Sequence, residues 1–236
     1  MNRVGAVDAS RREQSKAARR EAILDAARAL IREVGPQVSA DKIAHRAGVS
    51  TATVYNLIGP REQLLGLLLS ELFEDLRATI AVMDQSDPFA VGAAVVTVSA
   101  QMFIADSALW LNVLPEVKGA FGARVQPFVT YQPINLQRGA MQTAKRLGML
   151  SRAADAEMTA TQIYAVYYGA LFLWAAGVLT DGAFLSQAKA GYWAILAALG
   201  SGDHRRRAVR ELNQVHSALS ATQRAEIALD QFKGFN

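Results

Sequence analysis

Seven positions within residues 43–57 follow a steric pattern that few folds satisfy. Two short helices that cross at a tight turn need a small residue where they touch, a residue with positive φ in the turn, and apolar residues in their shared core. Ala44 is small, and Gly48 is the residue type that reaches positive φ at no steric cost. The other five positions are apolar: Ile43, Ala47, Val49, Val54 and Leu57. The pattern predicts a helix-turn-helix.

The rest of the chain also has helical periodicity, and no useful stretch alternates as a strand does. Helices are predicted at about 15–34, 39–47, 51–58, 60–83, 89–105 and 107–113, in a segment broken at Pro127 and Pro133 that ends near Gly148, at 153–179 and 182–199, and, after residues 200–202, in an amphipathic segment and a last stretch to Phe232. Ser39 and Ser50 are suitable N-caps, and Pro60 suits the first position of the fourth helix. The sequence therefore predicts an all-α protein.

All of the net positive charge lies in the first quarter of the chain. Residues 1–65 carry eleven Lys and Arg against seven Asp and Glu, whereas residues 66–236 carry fourteen of each. A basic module beside a neutral body is typical of a protein that binds a polyanion with one part only. We therefore expect a basic arm at 1–14, a DNA-binding domain at 15–65, a larger helical domain at 66–200 and a helical extension at 201–236.

The third helix has a small, polar outward face. If Val54, Leu57 and Ile58 face inward, Ala52 and Asn56 point away from the core at 100° per residue. Asn can pair with an adenine edge in the major groove, and a methyl group can contact thymine. Phosphate contacts fix register rather than sequence choice, and several nearby residues are placed to make them. The predicted DNA-binding residues are Lys42, Ser50, Thr51, Ala52, Thr53, Tyr55, Asn56 and Arg61.

Residues 17–68, and above all AGVSTATVY followed by REQLL, resemble the DNA-binding domain of the TetR family of bacterial transcriptional repressors. The resemblance implies an all-helical homodimer with an N-terminal three-helix DNA reader. It also implies a larger domain whose last long helices form a four-helix interface and whose interior binds a small molecule that lowers DNA affinity. Leu57, Ile58 and Pro60 depart from the residue types usual in the family.

The helix at 153–179 carries two apolar stripes, and a helix with two apolar faces must bury both. Small residues on it and on the next helix would let helices approach closely, as in a four-helix bundle. They are Ala165, Gly169 and Ala176, followed by Ala183, Ala190, Ala194 and Ala197. This pattern fits the implied dimer, although packing within one chain would look similar.

Aromatic residues of the larger domain are candidates to line a pocket, with Gln101 and tyrosine hydroxyls as polar anchors. The predicted ligand-binding residues are Gln101, Met102, Phe103, Trp110, Phe128, Tyr131, Tyr164, Tyr168 and Phe172. Such a lining favours a small apolar or aromatic effector over a sugar or a phosphate. Core packing of these side chains is the alternative.

Several classes of protein conflict with the sequence. Cysteine is absent, the three histidines are far apart, and the common motifs of hydrolases, zinc proteases and nucleotide enzymes are missing, so we expect no enzyme, cofactor or metal. The N-terminus lacks a secretory signal, which favours the cytoplasm. Two charge-free runs, Pro88–Ala105 and Met158–Thr180, contain polar residues, and we expect helices buried on most sides. A DNA-binding regulator without an effector, or a helical protein with membrane-buried segments, are the alternatives.

Overall fold

The computed structural model describes residues 3–119 and 132–218, with the backbone alone for 3–10, 117–119 and 132–133. Ten helices and no strand occur in these ranges, as the sequence predicts. They are α1 (Arg3–Val34), α2 (Ala40–Ala47), α3 (Thr51–Leu57), α4 (Arg61–Ala81), α5 (Pro88–Ala105), α6 (Ser107–Gly119), α7 (Gln132–Arg146), α8 (Ala156–Ala175), α9 (Asp181–Leu199) and α10 (Gly202–Ser217).

The first three helices form a small N-terminal domain, in which α1 packs on α2 and α3. Ser39 caps α2 by accepting a hydrogen bond from the Lys42 amide, and Gly48 ends that helix at φ +67°. A side chain at residue 48 would be strained there, since L-residues rarely adopt positive φ. Ile43, Ala44 and Val54 are buried between the helices. The steric pattern of residues 43–57 therefore folds as the predicted helix-turn-helix.

The larger domain is a helical bundle in which α5 packs on α7 and α9, α8 packs on α7 and α9, and α10 packs on α9. The Tyr192 hydroxyl donates to the Phe89 carbonyl at 2.7 Å and ties α9 to α5. Arg205 donates from Nε to the Ala197 carbonyl at 2.8 Å, which satisfies an acceptor at the end of α9. One continuous apolar core runs from α1 through both domains.

Several helix boundaries differ from those predicted. The backbone of α1 is helical from Arg3, so the segment predicted as a basic arm is continuous with the helix predicted from about residue 15. Pro60 is the N-cap of α4 rather than its first residue. Pro133 lies in the first turn of α7, where a missing N–H costs little, and does not break the helix. Helix α6 continues past residue 113 through Pro115.

The two charge-free runs have different environments. Within the described ranges, α5 alone is long and apolar enough to cross a membrane, and more than half of it is buried inside the fold as a core helix. The sequence predicts that α8 is buried on most sides, but the structure shows one buried face and one exposed face. One face packs inward through residues such as Ile163 and Trp174, while Val166, Phe172 and Leu173 are exposed. Pro127 and the last stretch to Phe232 lie outside the described residues.

Candidate nucleic-acid interface and ligand cavity

Helix α3 is fixed at its start by a side-chain cap. The Ser50 Oγ accepts a hydrogen bond from the Thr53 amide at 3.1 Å, and the two hydroxyls of Ser50 and Thr53 are 2.8 Å apart. The Thr51 hydroxyl donates to Asp41 of α2 at 2.6 Å. The Ser50 bonds fix the first turn of α3, and the bond from Thr51 to Asp41 joins α3 to α2.

The outward face of α3 is open to solvent. Val54 is buried and points into the core, whereas Ala52, Tyr55 and Asn56 are exposed. Tyr55 is 56% exposed, a high value for an aromatic ring that could otherwise pack within the domain. This is the arrangement that a helix needs to enter a major groove, with a small residue and an amide facing the base edges.

Two predicted phosphate contacts differ in their surroundings. Lys42 is exposed, and no side-chain partner approaches it within the described ranges. Arg61 is half-buried, and its Nη2 donates to the Pro36 carbonyl at 2.9 Å and to Glu116 at 2.8 Å. In this arrangement the Arg61 guanidinium is engaged within the protein, and its contact with phosphate stays a prediction. An ion pair with a residue 55 positions away leaves no signal in the local sequence.

The start of α1 projects beyond the N-terminal domain. Every residue from 11 to 22 is exposed, and this stretch includes Arg11, Arg12, Lys16, Arg19 and Arg20. Buried residues of α1 begin at Ile23. At 32 residues the helix is about 48 Å long, so its basic first half is held rigidly by the packed second half.

An apolar cavity with a volume of about 30 Å³ lies in the larger domain. Five helices contribute to it, from α4 to α8. Its lining is Leu69, Phe73, Leu76, Val95, Val96, Ser99, Phe103, Leu114, Gln137, Ile163, Tyr164, Tyr167, Tyr168 and Leu171. The mostly apolar lining with a few polar groups is typical of small-molecule sites, and the cavity must widen to admit a molecule larger than water.

The residues that line the cavity include hydroxyl groups but no charged side chain. Ser99 and Tyr167 are hydrogen-bonded through their hydroxyls at 2.8 Å. Burial raises the pKa of Tyr167 and of Tyr168 above the ordinary value of tyrosine, because the charged phenolate is poorly solvated there. Both tyrosines are therefore neutral at physiological pH, and the site suits an uncharged molecule.

Three of the predicted ligand-binding residues line this cavity: Phe103, Tyr164 and Tyr168. Four do not. Gln101 and Phe172 are exposed, Met102 is half-buried beside the core, and Trp110 packs edge-on against Phe103 with ring centroids 5.3 Å apart. These four residues lie on helices that contribute to the cavity, but their side chains are on other faces of those helices. Phe128 and Tyr131 lie outside the described residues.

Sequence reasoning missed the polar lining residues Ser99, Tyr167 and Gln137. For Gln137 a signal was present. It occupies an otherwise apolar stripe of α7 with Ile134, Met141 and Ala144, all of them buried. A polar residue at a core position of an amphipathic helix indicates either a buried hydrogen bond or a binding site.

Polar contacts join the DNA-binding domain to α6 and the cavity. Leu114 lines the cavity, and Glu116, two residues further along α6, accepts hydrogen bonds from Arg61 and from Gln37 Nε2 at 3.2 Å. At the other end of α6, Arg32 donates from Nε to Asp106 at 2.9 Å. A shift of α6 would therefore reach the N-terminal domain through two separate contacts.

Comparison with known proteins places these features in a family. Residues 23–65 match the bacterial regulatory proteins of the tetR family. No curated protein gives a significant match. The fold is similar to SmeT, the repressor of the Stenotrophomonas maltophilia multidrug efflux pump SmeDEF, with 22% identity, a TM-score of 0.63, and coverage of 78% of this chain and 92% of SmeT.

Two further solved structures have the same fold. TylP, a TetR regulator from Streptomyces fradiae, is 18% identical, with a TM-score of 0.58 over 89% of this chain and 95% of TylP. RolR, solved in complex with resorcinol, is 20% identical, with a TM-score of 0.59 over 84% of this chain and 96% of RolR.

An exposed helix in a helix-turn-helix, joined to a larger helical bundle, is the architecture of a DNA-binding transcription factor. The match over the DNA-binding domain and the shared fold of the remainder identify the class more narrowly. Residues 23–65 match the DNA-binding domain of the tetR family, and the chain shares the fold of solved TetR regulators.

Proposed function

We propose that the protein is a cytoplasmic repressor that binds a near-palindromic operator as a homodimer and is released from it by a small apolar or aromatic effector. The observation that carries the proposal is the position of α4. This helix begins at Arg61 beside the DNA-binding domain and lines the cavity with Leu69, Phe73 and Leu76. A molecule in the cavity thus contacts the same helix that positions the reader.

The proposed release requires that the ligand-bound protein and the DNA-bound protein prefer different arrangements of the two DNA-binding domains. A ligand can weaken DNA binding only if ligand and DNA favour different relative positions of the two readers. The contacts of α4 and α6 with both regions supply a route for that difference. SmeT is a repressor, and RolR was solved with resorcinol, a small aromatic molecule. Both support a repressor with an effector of this class.

The homodimer is supported by the outer face of α8 and α9. Val166 is 44% exposed, Phe172 and Leu173 are also exposed, and nothing lies within 4 Å of a Cβ added at Gly169. Gly169 and Ala194 are both exposed, so their small size is not needed for packing within the chain. A second copy of the chain would bury these side chains and bring the two readers into two-fold symmetry.

The test is a gel-shift titration on DNA upstream of the protein's own gene, with and without a panel of uncharged metabolites. We expect one or more compounds to lower operator affinity by about 5- to 150-fold, which corresponds to a coupling of about 1 to 3 kcal/mol, and operator DNA to lower the affinity of that compound by the same factor. Tyr168→Ala in the cavity lining should remove the response and leave operator affinity unchanged. Gln101→Ala, on the exposed side of α5, should keep the response.

Two results would contradict the proposal. A compound that binds the protein but leaves the operator dissociation constant unchanged would show a DNA-binding regulator without this switch. Binding to the operator as a monomer on an asymmetric site would rule out the homodimer.

A further inference from the structure

Gln137 is the one buried polar side chain in the described ranges with an unsatisfied hydrogen-bonding atom. The residue is 3% exposed, and its Nε2 donates to the Gly92 carbonyl at 2.9 Å. Its Oε1 is buried and has no hydrogen-bond partner in the described part of the chain. Leaving a buried acceptor unpaired is costly, so such atoms usually have a partner or a function.

The orientation of the Gln137 amide is fixed by its neighbours. The Gly92 carbonyl can only accept, so the amide nitrogen must face it and the oxygen must face away. The Tyr192 hydroxyl also lies beside Gly92, but it gives its single proton to the Phe89 carbonyl at 2.7 Å. Rotating the amide would leave two acceptors facing each other. The unpaired atom is therefore the oxygen.

Gln137 also lines the cavity, and the other polar groups of the lining are the hydroxyls of Ser99 and of three tyrosines. The Ser99 and Tyr167 hydroxyls bond to each other, and the rest of the lining apart from the tyrosines is apolar. A molecule that reaches Gln137 in this mostly apolar lining would meet a buried acceptor, beside Gly92, that has no donor in the described part of the chain. A molecule with a correctly placed hydroxyl or N–H would gain a hydrogen bond that the empty protein does not make.

We infer, building on the proposed effector site, that the effector is an uncharged apolar molecule with a hydroxyl or N–H group that donates to Gln137 Oε1. Recognition is directional. A molecule of the same shape that lacks the donor leaves the acceptor buried and unpaired, which a site of this kind discriminates against more strongly than a missing methyl group. Gln137 determines this specificity.

The experiment uses matched pairs of compounds that differ in the donor alone, measured by isothermal titration calorimetry on the full-length protein without DNA. The pairs are 2-naphthol with 2-methoxynaphthalene, cyclohexanol with methoxycyclohexane, and indole with 1-methylindole, so that O–H and N–H donors are tested separately. We expect the donor member of at least one pair to bind about tenfold or more tightly than its methylated partner.

Gln137→Met keeps the approximate length and volume of the side chain and removes both the Oε1 acceptor and the Nε2 donor to the Gly92 carbonyl. It should bind both members of that pair with equal affinity. Gln101→Ala, on the exposed side of α5 and outside the cavity lining, should keep the preference for the donor. Melting temperatures of both variants with and without the compound check that each is folded and that the cavity is accessible.

Equal affinity within every pair, no binding of any compound, or a preference that persists in folded Gln137→Met would overturn the inference. Loss of the preference in Gln137→Met supports it whatever happens at the operator. If the donor compound binds as described but does not change operator affinity in the gel-shift assay, the proposed switch fails while the role of Gln137 stands.

Discussion

Arg61 at the start of α4 donates to Glu116 of α6 at 2.8 Å, and the same nitrogen donates to the carbonyl of Pro36 at 2.9 Å. One guanidinium therefore joins the turn after α1, the first residue of α4 and the end of α6. About a third of each side chain of the ion pair is exposed, so its contribution to stability is modest, about 1 kcal/mol or less. Since it lies between the DNA-binding domain and a helix that lines the cavity, we expect its role to be in coupling the two.

Arg61→Gln and Lys42→Gln should separate coupling from phosphate contact. Each Lys42 that contacts a phosphate releases counterions, so Lys42→Gln should reduce the slope of log affinity against log salt by about 1 per half-site. Arg61→Gln should leave that slope unchanged and instead reduce the effect of the effector. Fluorescence-anisotropy titrations between low and physiological salt measure both. If the slope of log affinity against log salt falls equally in the two variants, Arg61 also contacts a phosphate.

Asn56→Ala should relax sequence choice at one base position in each half-site, at a cost of about 1 to 3 kcal/mol, because Asn can make two hydrogen bonds to one base edge. Tyr55→Phe should weaken binding to all sites alike, since it removes a hydroxyl placed for the backbone. Competition gel shifts with single-base operator variants at fixed salt distinguish the two. A uniform loss for Asn56→Ala would mean that the residue does not read a base.

Deletion of residues 1–14 should lower operator affinity without unfolding the protein. The described side chains of this segment are exposed and the buried part of α1 begins at Ile23, so few packing contacts are lost, while three arginines are removed together with two acidic residues. The measurement is affinity at low salt, where the electrostatic contribution is largest, with the melting temperature as control. Unchanged affinity at low salt would remove the arm from the mechanism.

Gly169→Leu and Ala194→Leu should convert the dimer to a monomer that stays folded, because each adds a bulky side chain to an exposed face with no neighbour in the chain. Gly139→Leu on α7 is the matched control, since a Cβ there also meets nothing within 4 Å, and it should remain dimeric. Sedimentation velocity reports the state of each variant. A dimer that persists in both test variants would place the interface elsewhere.

Gly191→Leu should behave differently from Gly169→Leu. A Cβ at Gly191 would lie 2.3 Å from Val166 Cγ1, so a side chain there forces α8 and α9 apart within one chain. We expect a lower melting temperature for this variant, whereas Gly169→Leu should melt as a folded monomer. The contrast distinguishes packing inside the subunit from packing between subunits.

The carboxylate of Asp87 should contribute to stability at neutral pH and not in acid. Asp87 caps α5 and pairs with Arg207 of α10. Burial alone would raise the pKa of Asp87, but Arg207 and the amides of Ala90 and Phe89 outweigh it and lower the pKa below its usual value. A lowered pKa means that the contribution is present above the unfolded value of about 3.9 and is lost as pH falls through the folded value.

Asp87→Asn keeps a side chain that can cap the helix and removes the charge. We expect it to lower the free energy of unfolding by about 0.5 to 1 kcal/mol at pH 7, given the partial exposure of the pair, and to match the wild type at a pH below the lowered pKa of Asp87. Urea unfolding at the two pH values measures the difference. The same difference at both pH values would assign the effect to packing rather than to charge.

The local features of this protein follow from neighbouring residues. The turn at Gly48, the caps at Ser39 and Ser50 and the outward position of Asn56 depend on steric and hydrogen-bonding relations within about four positions, which the sequence displays directly. For the same reason the N-terminal domain and the helical class of the whole chain were predictable.

The tertiary structure alone decided which residues share the cavity and which partner each charge has. The lining comes from helices between Leu69 and Leu171, and its membership depends on how each helix is rotated about its axis when five helices pack together. Periodicity gives the apolar side of a helix but not which part of that side faces a void, so Tyr164 and Tyr168 were found and Gln137 was not. Likewise, Arg61 is a basic residue beside a DNA-binding motif in the sequence. Its pairing with Glu116 exists because folding brings α4 and α6 together.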